Sequence, residues 1–94
     1  SKMGKAELNA EGGVTIQLKF PIPFGDDTIT EVTVRRPKGK DLKGLHNLKE
    51  SHDDQLKLIA RLIDHPLKVV EEMDMGTDLQ AVGDAAMAFL PDGQ

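Results

Sequence analysis

The segment 35–45, RRPKGKDLKGL, has the residue types most suited to binding a phosphate. It holds five Lys or Arg side chains and two glycines, in a chain whose formal net charge is −4. A phosphate-binding P-loop, however, requires Gly-x-x-x-x-Gly-Lys followed by Ser or Thr. Here Asp41 follows Gly39 and Lys40, and its carboxylate would repel a phosphate. The sequence therefore does not predict a nucleotide-binding loop.

The same basic segment could instead contact nucleic acid, since six Lys or Arg residues lie between positions 35 and 49 against one aspartate. Proteins that bind single strands combine such charges with aromatic side chains on which the bases stack. No aromatic residue lies in this segment, and the remainder of the chain is acidic. We therefore expect no nucleic-acid partner and keep a nucleic-acid-binding module as the least favoured alternative.

A structural role for this segment is the stronger interpretation. Pro37 and Gly39 are expected to end a strand and turn the chain, and Asp41 to begin a helical segment whose first apolar residue is Leu42. The exposed cations of this turn form a candidate surface for an acidic partner. We call them the basic joint: Arg35, Arg36, Lys38 and Lys40.

The histidines and paired carboxylates do not match a catalytic or metal-binding pattern. His46, His52 and His65 lack the i, i+4 spacing of metal ligands on one helix. Ser51 precedes His52 directly, and adjacent residues of a helix do not face each other as a nucleophile and its base must. The acidic pairs lie in polar stretches where solvation is the default. We predict no metal site, no cofactor and no enzyme activity.

Length and composition limit the fold to one small domain. The chain has 94 residues, of which 38% are hydrophobic, with three Phe and no Trp, Tyr or Cys. The core must therefore be aliphatic, and neither a disulfide nor a thiolate metal site can form. No apolar run approaches the ~20 residues that span a bilayer, so we expect no membrane contact. We predict a flexible segment at 1–12, one domain at 13–90 and a tail at 91–94.

Alternation of apolar and polar residues predicts an antiparallel β-hairpin near the beginning of the chain. In VTIQLKF, at 14–20, every second residue is apolar, as in a half-buried strand. PIPFGDD is expected to form a loop, because prolines and a Gly-Asp-Asp cluster interrupt the pattern. The β-branched residues of TITEVTV resume it. Ile29 is out of phase with Val32, which predicts a bulge or the start of the strand at that point.

Helical periodicity predicts three or four short helices in the rest of the chain. A first short segment is expected where leucines recur at 42, 45 and 48. Ser51 is predicted to cap the next helix, with Asp54 supporting that helix N-terminus. Asp64 is predicted to cap a further helix whose first turn contains Pro66. The fold class is therefore α+β: an N-terminal antiparallel β-hairpin followed by three or four short α-helices.

The last helix differs from the others in composition. Thr77 and Gln80 match the capping box T-x-x-Q that begins a helix. The following LQAVGDAAMAFL mixes small and large apolar residues and has more of them than one core-facing side needs. We predict that part of this helix contacts a partner helix, with a central core helix as the alternative. The candidate contact residues are Leu79, Val82, Ala86, Met87, Phe89 and Leu90.

Taken in order, four of these stretches resemble the small tail assembly chaperones of Mu-like contractile-tailed bacteriophages. They are VTIQLKF, EVTVRRPKGKDL, LIARLIDHPLKVVEEM and DLQAVGDAAMAFL, and together they span about residues 13–90. The resemblance implies a non-enzymatic protein without a cofactor. It implies binding of the tape measure protein in the host cytoplasm, which keeps that protein soluble while tail-tube subunits polymerise around it.

The resemblance carries further expectations about partners and forms. The tail-tube protein is a second expected partner, and the chaperone is expected to be absent from the mature virion. In many such phages a ribosomal frameshift yields a longer second form. Homo-oligomerisation is left open by the sequence. A generic small helical adaptor or regulator of another protein is the alternative function.

Overall fold

The computed structural model, which describes residues 7–8 and 12–91, has the α+β fold that the sequence predicts. Its sheet contains β1 (Glu7–Leu8), β2 (Val14–Phe24) and β3 (Asp27–Val34). The strands are antiparallel in the order β1-β2-β3. The hairpin of β2 and β3 is thus confirmed, whereas the sequence pattern does not predict β1.

Three α-helices follow the sheet, and they are joined by short turns. They are α1 (His52–Ile63), α2 (Leu67–Glu71) and α3 (Asp78–Ala88). The helix predicted from the leucines at 42, 45 and 48 is wrong: a 3-10 turn covers Gly39–Leu42, and Gly44 then has a φ of 77°. This left-handed conformation, which favours glycine, ends helical geometry. Within the described residues, no helix is both long and apolar enough to cross a membrane.

Strand β2 is longer than the sequence predicts. The residues PIPF at 21–24 continue the strand instead of forming a loop, and the turn is confined to residues 25–26. Pairing with β3 is interrupted between Gln17 and Ile22, where four residues of β2 lie opposite one residue of β3. The irregularity predicted near Ile29 therefore exists, but its extra residues belong to β2.

This β2 bulge is fixed by the first residue of α3. The backbone N–H groups of Lys19 and Phe20, inside the bulge, donate to the two carboxylate oxygens of Asp78 at 2.8 and 2.9 Å. Asp78 is only 3% exposed. These N–H groups are partly buried and have lost their strand partner, and the carboxylate of a helix residue serves as their acceptor.

The hydrophobic core lies between one face of the sheet and the three helices. The opposite face of the sheet is polar, with a 2.9 Å hydrogen bond between the hydroxyls of Thr15 and Thr33. The core side chains come from β2, β3 and the three α-helices, with Met73 added from the turn after α2. They are Ile16, Leu18, Ile22, Ile29, Val32, Val34, Leu58, Ile59, Ala60, Leu62, Ile63, Val69, Val70, Met73, Val82 and Ala86. The predicted segments 1–12 and 91–94 lie largely outside the described residues, and the domain limits stay a prediction.

The predicted caps of α1 and α2 are correct in part. The hydroxyl of Ser51 accepts a hydrogen bond from the N–H of Asp54 at 3.2 Å, which confirms this N-cap. Asp64, however, is the C-cap of α1 and has a φ of 57°. Aspartate tolerates this left-handed conformation better than most residues, so it can end the helix in place of glycine. The N-cap position of α2 belongs to Pro66 instead.

The predicted capping box of α3 does not form. Thr77 occupies the N-cap position, but its hydroxyl donates to Asp74 at 2.9 Å instead of accepting from the helix. The carboxylate of Asp74 also accepts from the N–H groups of Gly76 and Thr77. The side-chain amide of Gln80 donates to a different residue, Asp84, at 3.3 Å. A carboxylate from the preceding turn has therefore replaced the predicted reciprocal pair.

Candidate functional site

The basic joint contains a bidentate ion pair. Nη1 and Nη2 of Arg35 donate to the two carboxylate oxygens of Asp41 at 3.0 and 2.8 Å. Asp41 is buried and also accepts from the N–H of Lys38 at 2.7 Å. Nη2 of Arg35 donates in addition to the backbone carbonyl of Arg61 in α1, at 3.1 Å. One guanidinium thus connects the end of β3 to the 3-10 turn and to α1.

This pairing stabilises the charged forms of both Arg35 and Asp41. The hydrogen bond from Arg35 lowers the pKa of Asp41 to about 2, although burial acts in the opposite direction. The same bond raises the pKa of Arg35. Arg61 adds a second guanidinium, whose Nη1 donates to the backbone carbonyls of Asp41 and Lys43, both at 2.7 Å. A partner's carboxylate would have to displace Asp41 in order to bind Arg35.

The other cations of the basic joint have different surroundings. The guanidinium carbon of Arg36 lies 5.1 Å from the ring centroid of Phe89, within the range of a cation–π contact. Lys38 and Lys40 are exposed. The structure therefore favours a structural role for Arg35. Contact between the basic joint and an acidic partner stays a prediction, with Arg36, Lys38 and Lys40 as its exposed residues.

A second buried carboxylate fixes the segment between the joint and α1. Asp54 accepts from the backbone N–H groups of His46 and Asn47, both at 2.8 Å. These bonds, the one from Asn47 most strongly, lower the pKa of Asp54. The side-chain amide of Gln55 donates to the carbonyl of Leu48 at 2.7 Å. Together the bonds hold this segment, with its half-buried leucines, against the core.

The six candidate contact residues of α3 and its C-terminal end fall into two groups. Val82 and Ala86 are fully buried, so the core-helix alternative holds for them. The other four are half-buried at the edge of the core, where contact with a partner stays a prediction. These four are Leu79, Met87, Phe89 and Leu90.

An apolar groove opens between α1, the end of α2 and α3, with a cavity volume of ≈ 550 Å³. Three of the chain's four methionines line it, which gives it flexible and polarisable walls. Gly83 also lines the groove: a Cβ at Gly83 would lie 3.7 Å from Cδ1 of Ile59, an ordinary contact. Its main apolar side chains are Leu56, Ile59, Met73, Met75, Leu79 and Met87.

A second groove, of ≈ 640 Å³, adjoins the first, because Gln55 and Met87 line both. Its apolar walls come from the leucines at 42, 45 and 48 and from Leu90. We call the two together the helical groove. Met75, 78% exposed, lines the first part and Leu42, 42% exposed, lines the second. The helical groove therefore offers exposed apolar side chains to another molecule.

Part of the helical groove could be identified from the sequence. Leu79, Met87 and Leu90 are among the predicted contact residues, whereas the walls contributed by α1 and by residues 73–75 are missed. A signal was present in MDM at 73–75, since methionines next to a turn are typical of adaptable binding surfaces. Among residues 7–8 and 12–91, no group of three His, Asp or Glu side chains is arranged to hold a metal ion.

Comparison with known proteins identifies the family. A family model described as phage tail assembly chaperone proteins, E, or 41 or 14, matches residues 15–91. The chain belongs to this family. The resemblance found in the sequence is therefore confirmed at the level of the family, and so is the general role in phage tail assembly. Searches of curated proteins and of solved structures found no match.

The range matched to the tail assembly chaperone family runs from β2 to the end of the described residues. It therefore includes the bulge, the basic joint and every residue of the helical groove. Family membership indicates the general role in phage tail assembly. The helical groove is the surface at which binding in that role can be tested.

Proposed function

We propose that this tail assembly chaperone binds the tape measure protein, without catalysis, through its helical groove. The observation that carries the proposal is an open, methionine-lined apolar groove in a member of this family. By the sequence resemblance, a tape measure protein is a long amphipathic helical chain that aggregates alone. Such helices bind by laying their apolar face into a groove of this kind.

The proposed mechanism is shielding. A bound helix would cover exposed apolar side chains of both molecules, including Met75 and Leu42, and so remove them from water. The net charge of −4 would help to keep the complex in solution. We propose further that the tail-tube protein is a second partner. Work in the host cytoplasm and absence from the mature virion follow from the family role and belong to this proposal.

The test is co-expression with the tape measure protein of the same genome, scored as recovery of a soluble complex. Met75→Asp and Leu42→Asp place a charge in the helical groove at exposed positions, so the chain should still fold. We expect each to reduce recovery about tenfold or more, because a buried methionine or leucine side chain contributes about 1.5–3 kcal/mol. Phe24→Asp is the matched control, because Phe24 is 43% exposed and lines neither part of the groove.

Three outcomes are informative. Loss of the complex with the two groove variants but not with the control supports both the partner and the site. Survival with both groove variants, and loss with Lys38→Glu and Lys40→Glu, would move the site to the basic joint. If the folded chain captures no tape measure protein, the proposed partner is wrong and a generic adaptor becomes the better interpretation. Val82→Asp is unsuitable as a test, because Val82 is buried in the core.

A further inference from the structure

The two parts of the helical groove carry opposite charge. Glu71 and Asp84 line the first part, between α1 and α3. Lys49 lines the second part. Each part has one histidine as well, His52 in the first and His46 in the second, so the histidines do not alter this difference.

The helix α3, which flanks the first part of the groove, sets the scale of a helical segment that could lie beside it. α3 has 11 residues, which corresponds to roughly 16 Å of helix axis, or about three turns. A helix lying along it would present an apolar stripe at i, i+3 or i+4 and i+7 to the floor. The portion of such a helix over the first part would lie near the carboxylates of Glu71 and Asp84, and the portion over the second part would lie near the ammonium group of Lys49.

From this arrangement we infer that the helical groove orients its ligand. It takes an amphipathic helix with basic residues over the first part, which Glu71 and Asp84 line, and acidic residues over the second part, which Lys49 lines. Like charges placed at either end would repel the segment, so the reversed orientation is disfavoured. The inference deepens the proposed function and rests on it only for the biological source of the helix.

The methionine-lined walls make the apolar part of recognition permissive. Met75, which is exposed, and Met87, which is half-buried, can repack around different aliphatic or aromatic side chains. Selection then depends on the distribution of charge more than on the exact apolar sequence. One chaperone could therefore bind several segments of a long helical partner, provided that each has the same charge order.

Orientation can be measured directly with a synthetic amphipathic peptide that has lysines at one end and glutamates at the other. The protein has no cysteine, so a nitroxide on a single peptide cysteine is the only thiol-attached label. A label at the lysine end should broaden the amide resonances near Glu71 and Met75. A label at the glutamate end should broaden those near Lys49. The same broadening from both labels would overturn the inference.

Charge-reversal variants of the groove provide a second test of the orientation. The triple variant Glu71→Lys, Asp84→Lys and Lys49→Glu should exchange the two broadening patterns. The double variant Glu71→Lys and Asp84→Lys should weaken peptide binding about fivefold, and the loss should disappear near ~1 M salt. Glu72→Lys with Lys68→Glu is the matched control, because both side chains are exposed and line neither part of the groove. An unchanged pattern in the triple variant would contradict the inference.

The arms separate this inference from the proposed function. An oriented synthetic peptide, together with failure to capture the tape measure protein, would retain the inference and reject the partner. Capture of the tape measure protein without any orientation of the synthetic peptide would retain the proposed partner and reject the inference about orientation. Sedimentation of the chain alone covers a third case: a dimer dissociated by Met75→Asp would assign the groove to a second copy and overturn the inference.

Discussion

The carboxylate of Asp78 is the contact whose removal tests most directly how this fold is held together. It accepts two backbone N–H groups, of Lys19 and Phe20, which lie 59 and 58 positions earlier in the chain. Asp78→Asn keeps the size of the side chain but leaves one acceptor oxygen and turns an NH₂ donor toward a backbone donor. The substitution therefore removes at least one hydrogen bond to a charged group without opening a cavity.

The expected magnitude follows from the burial and the number of bonds. A hydrogen bond to a charged group contributes about 1.5–3 kcal/mol to stability. Lys19 and Phe20 are themselves exposed, so water can reach part of the bulge and the lower end of this range applies. We expect Asp78→Asn to lower the free energy of unfolding by about 2 kcal/mol. For a domain of this size that is a fall in melting temperature of about 10 °C.

Urea unfolding followed by far-ultraviolet circular dichroism is the suitable assay, because the chain has no Trp or Tyr for fluorescence. Asp53→Asn is the matched control: it makes the same charge change in the first turn of α1, at an exposed position. Its cost should stay within about 0.5 kcal/mol. Equal costs for the two substitutions, or unchanged amide exchange at Lys19 and Phe20 in Asp78→Asn, would refute the idea that this carboxylate fixes the bulge.

Three more predictions concern the ion pair of the basic joint, Gly83 in the groove, and Ser51 at the N-cap of α1. Arg35 lowers the pKa of Asp41 from 3.8 to about 2. The pair should therefore add up to about 2 kcal/mol to the free energy of unfolding above pH 3.8, and this contribution should disappear as the pH falls toward 2. The variant Arg35→Met should therefore be less stable than the unaltered protein at neutral pH, and its stability should fall less between pH 3.8 and 2. Parallel curves of stability against pH for the two proteins would contradict this. Gly83→Ala should raise the free energy of unfolding by about 0.5–1 kcal/mol yet weaken peptide binding, whereas unchanged binding would exclude Gly83 from the contact. Ser51→Ala should cost about 1 kcal/mol in urea unfolding, and Ser51→Asp should restore most of it.

Sequence patterns were sufficient where nearby residues decide the local structure. The alternation of VTIQ predicts the regular part of β2, and Ser51 followed by Asp54 predicts the start of α1. They were insufficient where a distant group decides. PIPF remains in β2 beside a bulge that depends on Asp78, and Pro21, which has no N–H, is tolerated because it lies where regular pairing is interrupted.

The same contrast explains the leucines between the joint and α1. Their spacing of three residues favours a helix, but Gly44 is left-handed and Asp54 takes the N–H groups of His46 and Asn47. Those N–H groups are then unavailable to a helix, and the leucines pack from an irregular segment instead. Tertiary hydrogen bonds have thus overridden local periodicity.

The candidate site was predictable only in part for a geometric reason. A helical pattern shows which side of α3 is apolar, but the packing of α1 and β2 against α3 decides which part of that side is covered. Val82 is buried, whereas Leu79 and Met87 remain at the edge and line the helical groove. Met75 belongs to the turn before α3, and its exposure of 78% could not be read from periodicity.

The bond between the β2 bulge and α3 also has a consequence for the order of folding. The ribosome makes β2 early, but the carboxylate that completes its irregular half is 58 or 59 residues further along. Contacts of such long sequence separation form slowly, because the intervening chain must first be ordered. The hairpin is therefore expected to reach its final geometry only after α3 has been synthesised, so the groove is completed in the same late step as the sheet.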